Sequence, residues 1–178
     1  MKKWLLIAFC VAVVAVFGVL VSCTSEGAAY YVRFTADGQR FELTKGYTDV
    51  ADGKAVAFIV TGFEYLVITG TTDNISSADI GNPDAEVQNA VWVVLLGTTV
   101  GTYDEAGEIQ DAYITINGVD YTIDALSVTV SVINEVGSTI EGTFTATITP
   151  KTGGDSIEIT DGEFKLYRAA DNSILPPT

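Results

Sequence analysis

The chain has 178 residues, and 23 acidic side chains against 9 basic ones give it a formal charge of −14, with no histidine. The missing histidine excludes Ser-His-Asp and Cys-His catalysis and His-ligated zinc, and the acidic excess repels nucleic acid and anionic lipid headgroups. A single domain is expected at this length. At the start, Lys2 and Lys3 precede an uncharged run from Trp4 to Val21, which is a charged n-region before an apolar h-region. About 18 apolar residues is also near the minimum for a permanent transmembrane helix, so the end of the run has to separate the two readings.

It ends Leu20-Val21-Ser22-Cys23, which resembles the lipobox of bacterial lipoproteins: an aliphatic residue first, small residues before the cut, and a cysteine after it. The resemblance implies a signal peptide over residues 1–22, cleavage before Cys23, and acyl chains on Cys23 that hold the protein to a membrane. Several chains together anchor where one alone does not, at about 0.8 kcal/mol per buried methylene. Thr24 stands where an inner-membrane retention signal would often place Asp, so the outer membrane of a diderm bacterium is the expected location. Cys10 would leave with the signal peptide and Cys23 would carry lipid, so the mature chain has no thiol and no disulfide. About 150 residues must then be held by their apolar core alone, and that length can bury roughly 70% of its unfolded surface.

Residues 23–29 read as a short tether, after which the chain becomes short β-rich runs between Gly, Asn and Asp turns. Tyr30 to Ala36 and Gln39 to Thr44 flank Asp37-Gly38, a two-residue hairpin signal. Val56, Phe58 and Val60 lead to Gly62, and Phe63 to Thr69 resumes a strand pattern. A polar stretch from Thr71 to Glu86 follows. Val87 to Leu96 is apolar on both parities, as in a strand buried on both faces. Tyr113 to Asn117 meets Val119 to Asp124 across Asn117-Gly118, a second hairpin signal. Leu126, Val128, Val130 and Val132 alternate with Ser127, Thr129 and Ser131, and Ile140, Phe144, Ala146 and Ile148 alternate with Glu141, Thr143, Thr145 and Thr147. One face of these strands should be dry and the other wet. Ser156 to Thr160 and Glu163 to Arg168 read as two strands turning at Asp161-Gly162.

The expected fold is all-β, a single antiparallel β-sandwich or partly rolled sheet of about ten strands over residues 30–170, with a C-terminal tail at 171–178. Gly101-Thr102-Tyr103, Ile140-Glu141-Gly142-Thr143-Phe144 and Ile159-Thr160-Asp161-Gly162-Glu163-Phe164 resemble the G-T-Y, I-x-G-T-F and I-T-x-G-x-F pattern of a family of small bacterial β-sandwich lipoproteins of uncharacterised function. The resemblance implies a lipid-anchored β domain and carries no catalytic residue. Gly142 is expected to admit a bend or a close neighbour, and Gly162 to supply a turn conformation.

Basic residues are confined to the two ends of the domain, Arg33, Arg40, Lys45 and Lys54 on one side and Lys151, Lys165 and Arg168 on the other, with none from Ala55 to Pro150. No phosphate loop with a lysine is present, so no cofactor is expected. A carboxylate pair of the glycosidase kind needs only two acids with opposed pKa values, yet nothing in the spacing singles out such a pair, and the chain is read as no enzyme. Asp79, Asn82, Asp84 and Glu86, with Asp73 and Asn74, give a loop whose oxygens suit calcium in kind. Their spacing lacks the EF-hand order, so a solvated loop without metal is the simpler reading. Among the aromatics, Trp92 sits in an apolar run and reads as core, Tyr121 as inward, and Tyr103 as placed to tie down a turn. Tyr167 shares parity with Glu163 and Lys165 and is the candidate ligand-binding aromatic. Three functional classes follow: a structural or interaction component of the envelope, a binding module for glycan, peptide or another envelope protein, and, last, a carboxylate-based hydrolase.

Overall fold

A computed structural model describes residues 29–76, 87–104 and 107–172. Ten strands dominate it: β1 (Tyr31–Ala36), β2 (Gln39–Leu43), β3 (Val56–Val60), β4 (Tyr65–Thr71), β5 (Ala90–Leu96), β6 (Gly101–Asp104), β7 (Ile109–Ile116), β8 (Val119–Ile133), β9 (Thr139–Pro150) and β10 (Ile157–Arg168). One helical turn, α1 (Thr48–Ala51), lies between β2 and β3. Asp37 and Gly38 both take positive φ, 49° and 70°, as do Asn117 and Gly118 at 52° and 75°. Both two-residue hairpins therefore use the turn that matches the right-handed twist of their strands.

The all-β expectation holds, but the strands do not divide into two stacked sheets. β3, β4, β5, β7, β8, β9 and β10 pair in sequence and close into a seven-stranded barrel, with β1, β2 and β6 as additional strands. Closure depends on a parallel contact, Tyr167 beside Val56 and Arg168 beside Ala57, so the sheet is not wholly antiparallel. Two long strands, β8 and β10, make this possible by dividing one edge between two partners. One edge of β10 holds β1 over Ile159–Lys165 and then β3 from Tyr167. One edge of β8 holds β7 near Val119–Tyr121 and then β6 over Ser127–Val130.

Bulges let the long strands span two sequence runs of opposite phase. In β8, Tyr121 and Ile123 pack on the interior, and so do Leu126, Val128 and Val130. The register shift between Ile123 and Ala125 supplies the missing half-period. In β10 the same device sits between Ile159 and Gly162, where Asp161 takes φ 50°. Asp161-Gly162 is thus a bulge inside one continuous strand, not the turn that its composition suggests.

Gly162 is buried and pairs with Phe144, while Gly142 pairs with Phe164. A Cβ on Gly162 would overlap the Phe144 carbonyl and ring, and one on Gly142 would overlap Phe164 and the Thr129 carbonyl. The glycine of each motif is covered by the phenylalanine of the other, the arrangement by which an aromatic ring shields a bare glycine on a neighbouring strand. The two motifs are one structural unit.

The barrel interior is filled by Val32, Phe34, Leu66, Ile68, Val93, Ile114, Val128, Ile148, Leu166 and their neighbours. The void among Val32, Ile68, Val91, Val93, Val128, Phe144 and Phe164 is about 10 Å³, at or below what one water needs. A second apolar cluster lies outside the barrel wall. Val56, Phe58, Val60, Val67 and Val94 point outward from β3, β4 and β5 and are covered by Tyr47, Ala51 and Ala169, with Val50, Ile75, Trp92 and Tyr167 at its margin.

Candidate functional site

A filled barrel leaves its outer surface and its two ends as places for function. At one end four connections meet: the β3–β4 turn (61–64), the β5–β6 loop (97–100), the β8–β9 loop (134–138) and the segment after β10 (169–172). Hydrogen bonds join them. Asn172 Oδ1 accepts from the Thr61 amide at 3.0 Å, the Gly97 amide donates to the Glu64 carbonyl at 2.8 Å, and the Gly137 amide donates to the Arg168 carbonyl at 2.8 Å. Arg168 secures the corner further, donating from Nη1 to the Asn134 carbonyl at 2.7 Å and from Nη2 to Asp171 at 2.9 Å. Tyr103 behaves as its position suggests. Its hydroxyl donates to the Thr99 carbonyl at 2.6 Å and accepts from the Thr99 amide at 3.3 Å, holding the β5–β6 loop with a buried ring.

This end also carries all four exposed large apolar side chains among the described residues: Phe63 at 64% exposure, Val100 at 59%, Val136 at 50% and Leu96 at 37%. Phe63 stacks on Tyr65 with ring centroids 5.5 Å apart, and Tyr65 is the cross-strand partner of Leu96. At the opposite end the described residues include the Asp37-Gly38 and Asn117-Gly118 turns, the polar loop 151–156 and the two ends of the β4–β5 connection, where the Gly118 amide donates to the Gln88 carbonyl at 2.8 Å.

Two depressions mark the barrel flank. The larger, about 570 Å³, crosses β8, β9 and β10 at the bulges; Ser127, Thr145, Thr147 and Thr160 with Asp104 and Glu158 line it together with the apolar Ala125, Leu126, Ala146 and Ile159. The smaller, about 340 Å³, opens where β7 parts from β8 and includes Asp111, Tyr121, Thr122 and Lys151. Beside it, the Tyr113 hydroxyl donates to Asp120 at 2.6 Å and Lys151 lies 5.6 Å from the Tyr113 ring centre. Burial, and next the hydrogen bond to Asp120, raises the Tyr113 phenol above its ordinary pKa.

Arg33, Arg40 and Lys165, which stand far apart in sequence, meet acidic partners on β2, β9 and β10. Arg33 bonds Glu42 at 3.0 Å, lies 3.6 Å from Glu163 and covers the Tyr31 ring at 3.7 Å. Arg40 reaches Glu163 and Lys165 reaches Glu141, both at 3.6 Å. The hydrogen bond to Glu42 is the main reason that the Arg33 pKa is raised. These cations are occupied by their neighbours; strands β4–β8 carry no Lys or Arg of their own, and the cation beside them is Lys151, over the Tyr113 ring.

Leu20, Val21, Ser22 and Cys23, and the calcium candidates Asp79, Asn82, Asp84 and Glu86, lie outside the described residues. Asp73, which begins that polar stretch, accepts from the Thr72 hydroxyl at 3.0 Å and from the Gln88 amide at 3.4 Å. Among the described residues no group of three or more acidic or thiol side chains is placed to hold a metal ion. Tyr167 is on the outer face as its parity requires, yet it is no open platform: Tyr30 packs edge-on to it at 5.5 Å and Lys54 lies 5.0 Å from its ring centre. Trp92 also differs from expectation, being half-buried at the margin of the outer cluster and not in the main core. Sequence parity separated the two aromatics, whereas the covering segment 44–54 brings both into one cluster.

No family model, curated protein or solved structure matches this chain. Its function has to be read from its own residues.

Proposed function

We propose that this chain is a lipid-anchored protein of the cell envelope, held through acyl chains on Cys23 in the outer membrane of a diderm bacterium and acting as a structural or interaction component. The observation that carries the reading is Leu20-Val21-Ser22-Cys23 at the end of an apolar run, seven residues before the domain begins at Tyr30. A filled barrel without a thiol in its described part is the kind of body such an anchor displays. The direct test is Cys23→Ala expressed in a diderm host with labelled palmitate. The wild type should take up label and run as the shorter mature form, while the variant should stay unlabelled at precursor length. A variant cut and located like the wild type would contradict the anchor.

The groove of about 570 Å³ favours a second reading, a binding module for glycan, peptide or another envelope protein, because serine and threonine hydroxyls alternate there with an apolar floor beside Asp104 and Glu158. A glycan array probed with the mature protein, wild type against Thr145→Val, tests it. Binding that the substitution weakens supports the module, and an empty array leaves the scaffold reading in place.

A further inference from the structure

We infer that the end of the barrel bearing Phe63, Leu96, Val100 and Val136 rests on the lipid surface to which Cys23 is attached, so that the anchor fixes the orientation of the domain as well as its location. The inference rests on the lipid-anchor reading above. Isolated apolar residues on a surface are ordinary. Here the exposed large apolar residues among those described are confined to one end, and the course of the chain selects the same end.

Tyr31 pairs with Lys165 antiparallel, so the chain, followed backwards out of β1, heads in the direction in which β10 runs. β3 takes over that edge of β10 at Tyr167 and Val56, and Tyr30 is turned onto the outer face against Tyr167. From the level of Val56, the apolar end at Thr61 is five residues of strand away, about 17 Å. The seven residues from Cys23 to Tyr30 reach about 24 Å when extended, enough to bring Cys23 to the plane of that end. The opposite end lies eight residues back along β10, from Lys165 to Ile157, about 27 Å against the direction in which the chain leaves. A lipid on Cys23 therefore draws the Phe63 end toward the bilayer. Phe, Leu and Val side chains there suit the boundary between headgroups and acyl chains. Glu64, Glu135 and the Arg168–Asp171 pair at the same end suit zwitterionic lipid better than anionic lipid.

The mature chain has no other thiol once Cys23 is acylated, so a single introduced cysteine reports one position. Val100→Cys at the apolar end and Thr152→Cys at the opposite end are both exposed and should not disturb the fold. The full-length lipoprotein variants would be labelled with an environment-sensitive nitrobenzoxadiazole dye and placed in phosphatidylcholine nanodiscs with and without doxyl-labelled lipid. The expected result is blue-shifted emission at position 100, quenched several-fold more strongly by doxyl lipid than at position 152. Solvent-like emission at both positions, with acylated Cys23 confirmed by mass, would overturn the orientation and leave the anchor standing. Blue-shifted emission at position 100 that doxyl lipid does not quench would overturn it in favour of a second copy covering this end. An unmodified Cys23 would remove the anchor reading and this inference together.

Discussion

The walls formed by β3–β4–β5 and by β8–β9–β10 enclose the same core but differ on their outer faces. Across β3–β4–β5 both parities are apolar: Ala57, Ile59, Leu66 and Ile68 face in, while Val56, Phe58 and Val67 face out beneath Tyr47, Ala51 and Ala169. Across β8–β9–β10 only the inward face is apolar, and Thr143 and Thr145 stand in solvent opposite the buried Phe144 and Ala146. The first wall is a sandwiched layer, although its cover is little more than the segment 44–54, with its single helical turn, and Ala169 after β10. The second is an ordinary half-wet sheet that gains length through bulges. An apolar run in sequence thus reports a second covering layer, whereas strict alternation reports a face left open for other uses.

The largest effect expected from this difference is at Phe58. Phe58→Ala should destabilise the fold by about 3–5 kcal/mol, whereas Thr145→Ala on the open face should stay within about 0.5 kcal/mol. Chemical denaturation of the two variants would show equal midpoints only if the outer cluster were not a packed layer.

Tyr47, which covers the doubly buried wall, makes its stability depend on pH. Burial pushes its phenol up to about 12 from 10.0. The folded state therefore holds the proton more tightly than the unfolded chain. Stability should be unaffected below pH 10 and should fall as pH rises from 10 through 12, by about 2–3 kcal/mol at 1.36 kcal/mol per pKa unit. Tyr47→Phe should flatten that part of the stability curve, and an unchanged slope in the variant would place the alkaline loss elsewhere.

A smaller effect is expected at the bulge of the open wall. Gly162→Ala forces a Cβ against Phe144 in a buried strand, which should cost about 1–3 kcal/mol. Were Asp161-Gly162 an exposed turn, as composition alone suggests, the same change would be nearly silent in a thermal melt.

Local signals were legible where one residue type meets one physical need. Asp37-Gly38 and Asn117-Gly118 announce their turns because both positions need positive φ. Tyr103 follows a glycine at a strand start, and its hydroxyl does secure the adjacent loop. The double burial of β5 could be read from its apolar run, but not the identity of its cover, because Tyr47, Val50 and Ala51 are too few to form an amphipathic period. Closure of the barrel was not legible either. It depends on β10 exchanging β1 for β3 along one edge, a pairing of residues far apart in sequence. Asp161-Gly162 misled for a definite reason: a bulge and a turn both ask for a left-handed residue followed by glycine. For the site, Cys23 rests on sequence alone, whereas the apolar end and the hydroxyl-lined groove arise from loops and bulges that only the folded chain assembles.

On the proposed reading, Cys23 becomes the acylated N-terminus of the mature protein. Intact-mass analysis of the protein purified from the membranes of a diderm host tests it most directly. The expected product is a polypeptide beginning at Cys23 and carrying the added mass of the acyl chains. A mature chain with an unmodified Cys23, or a membrane-bound chain that still begins at Met1, would contradict it.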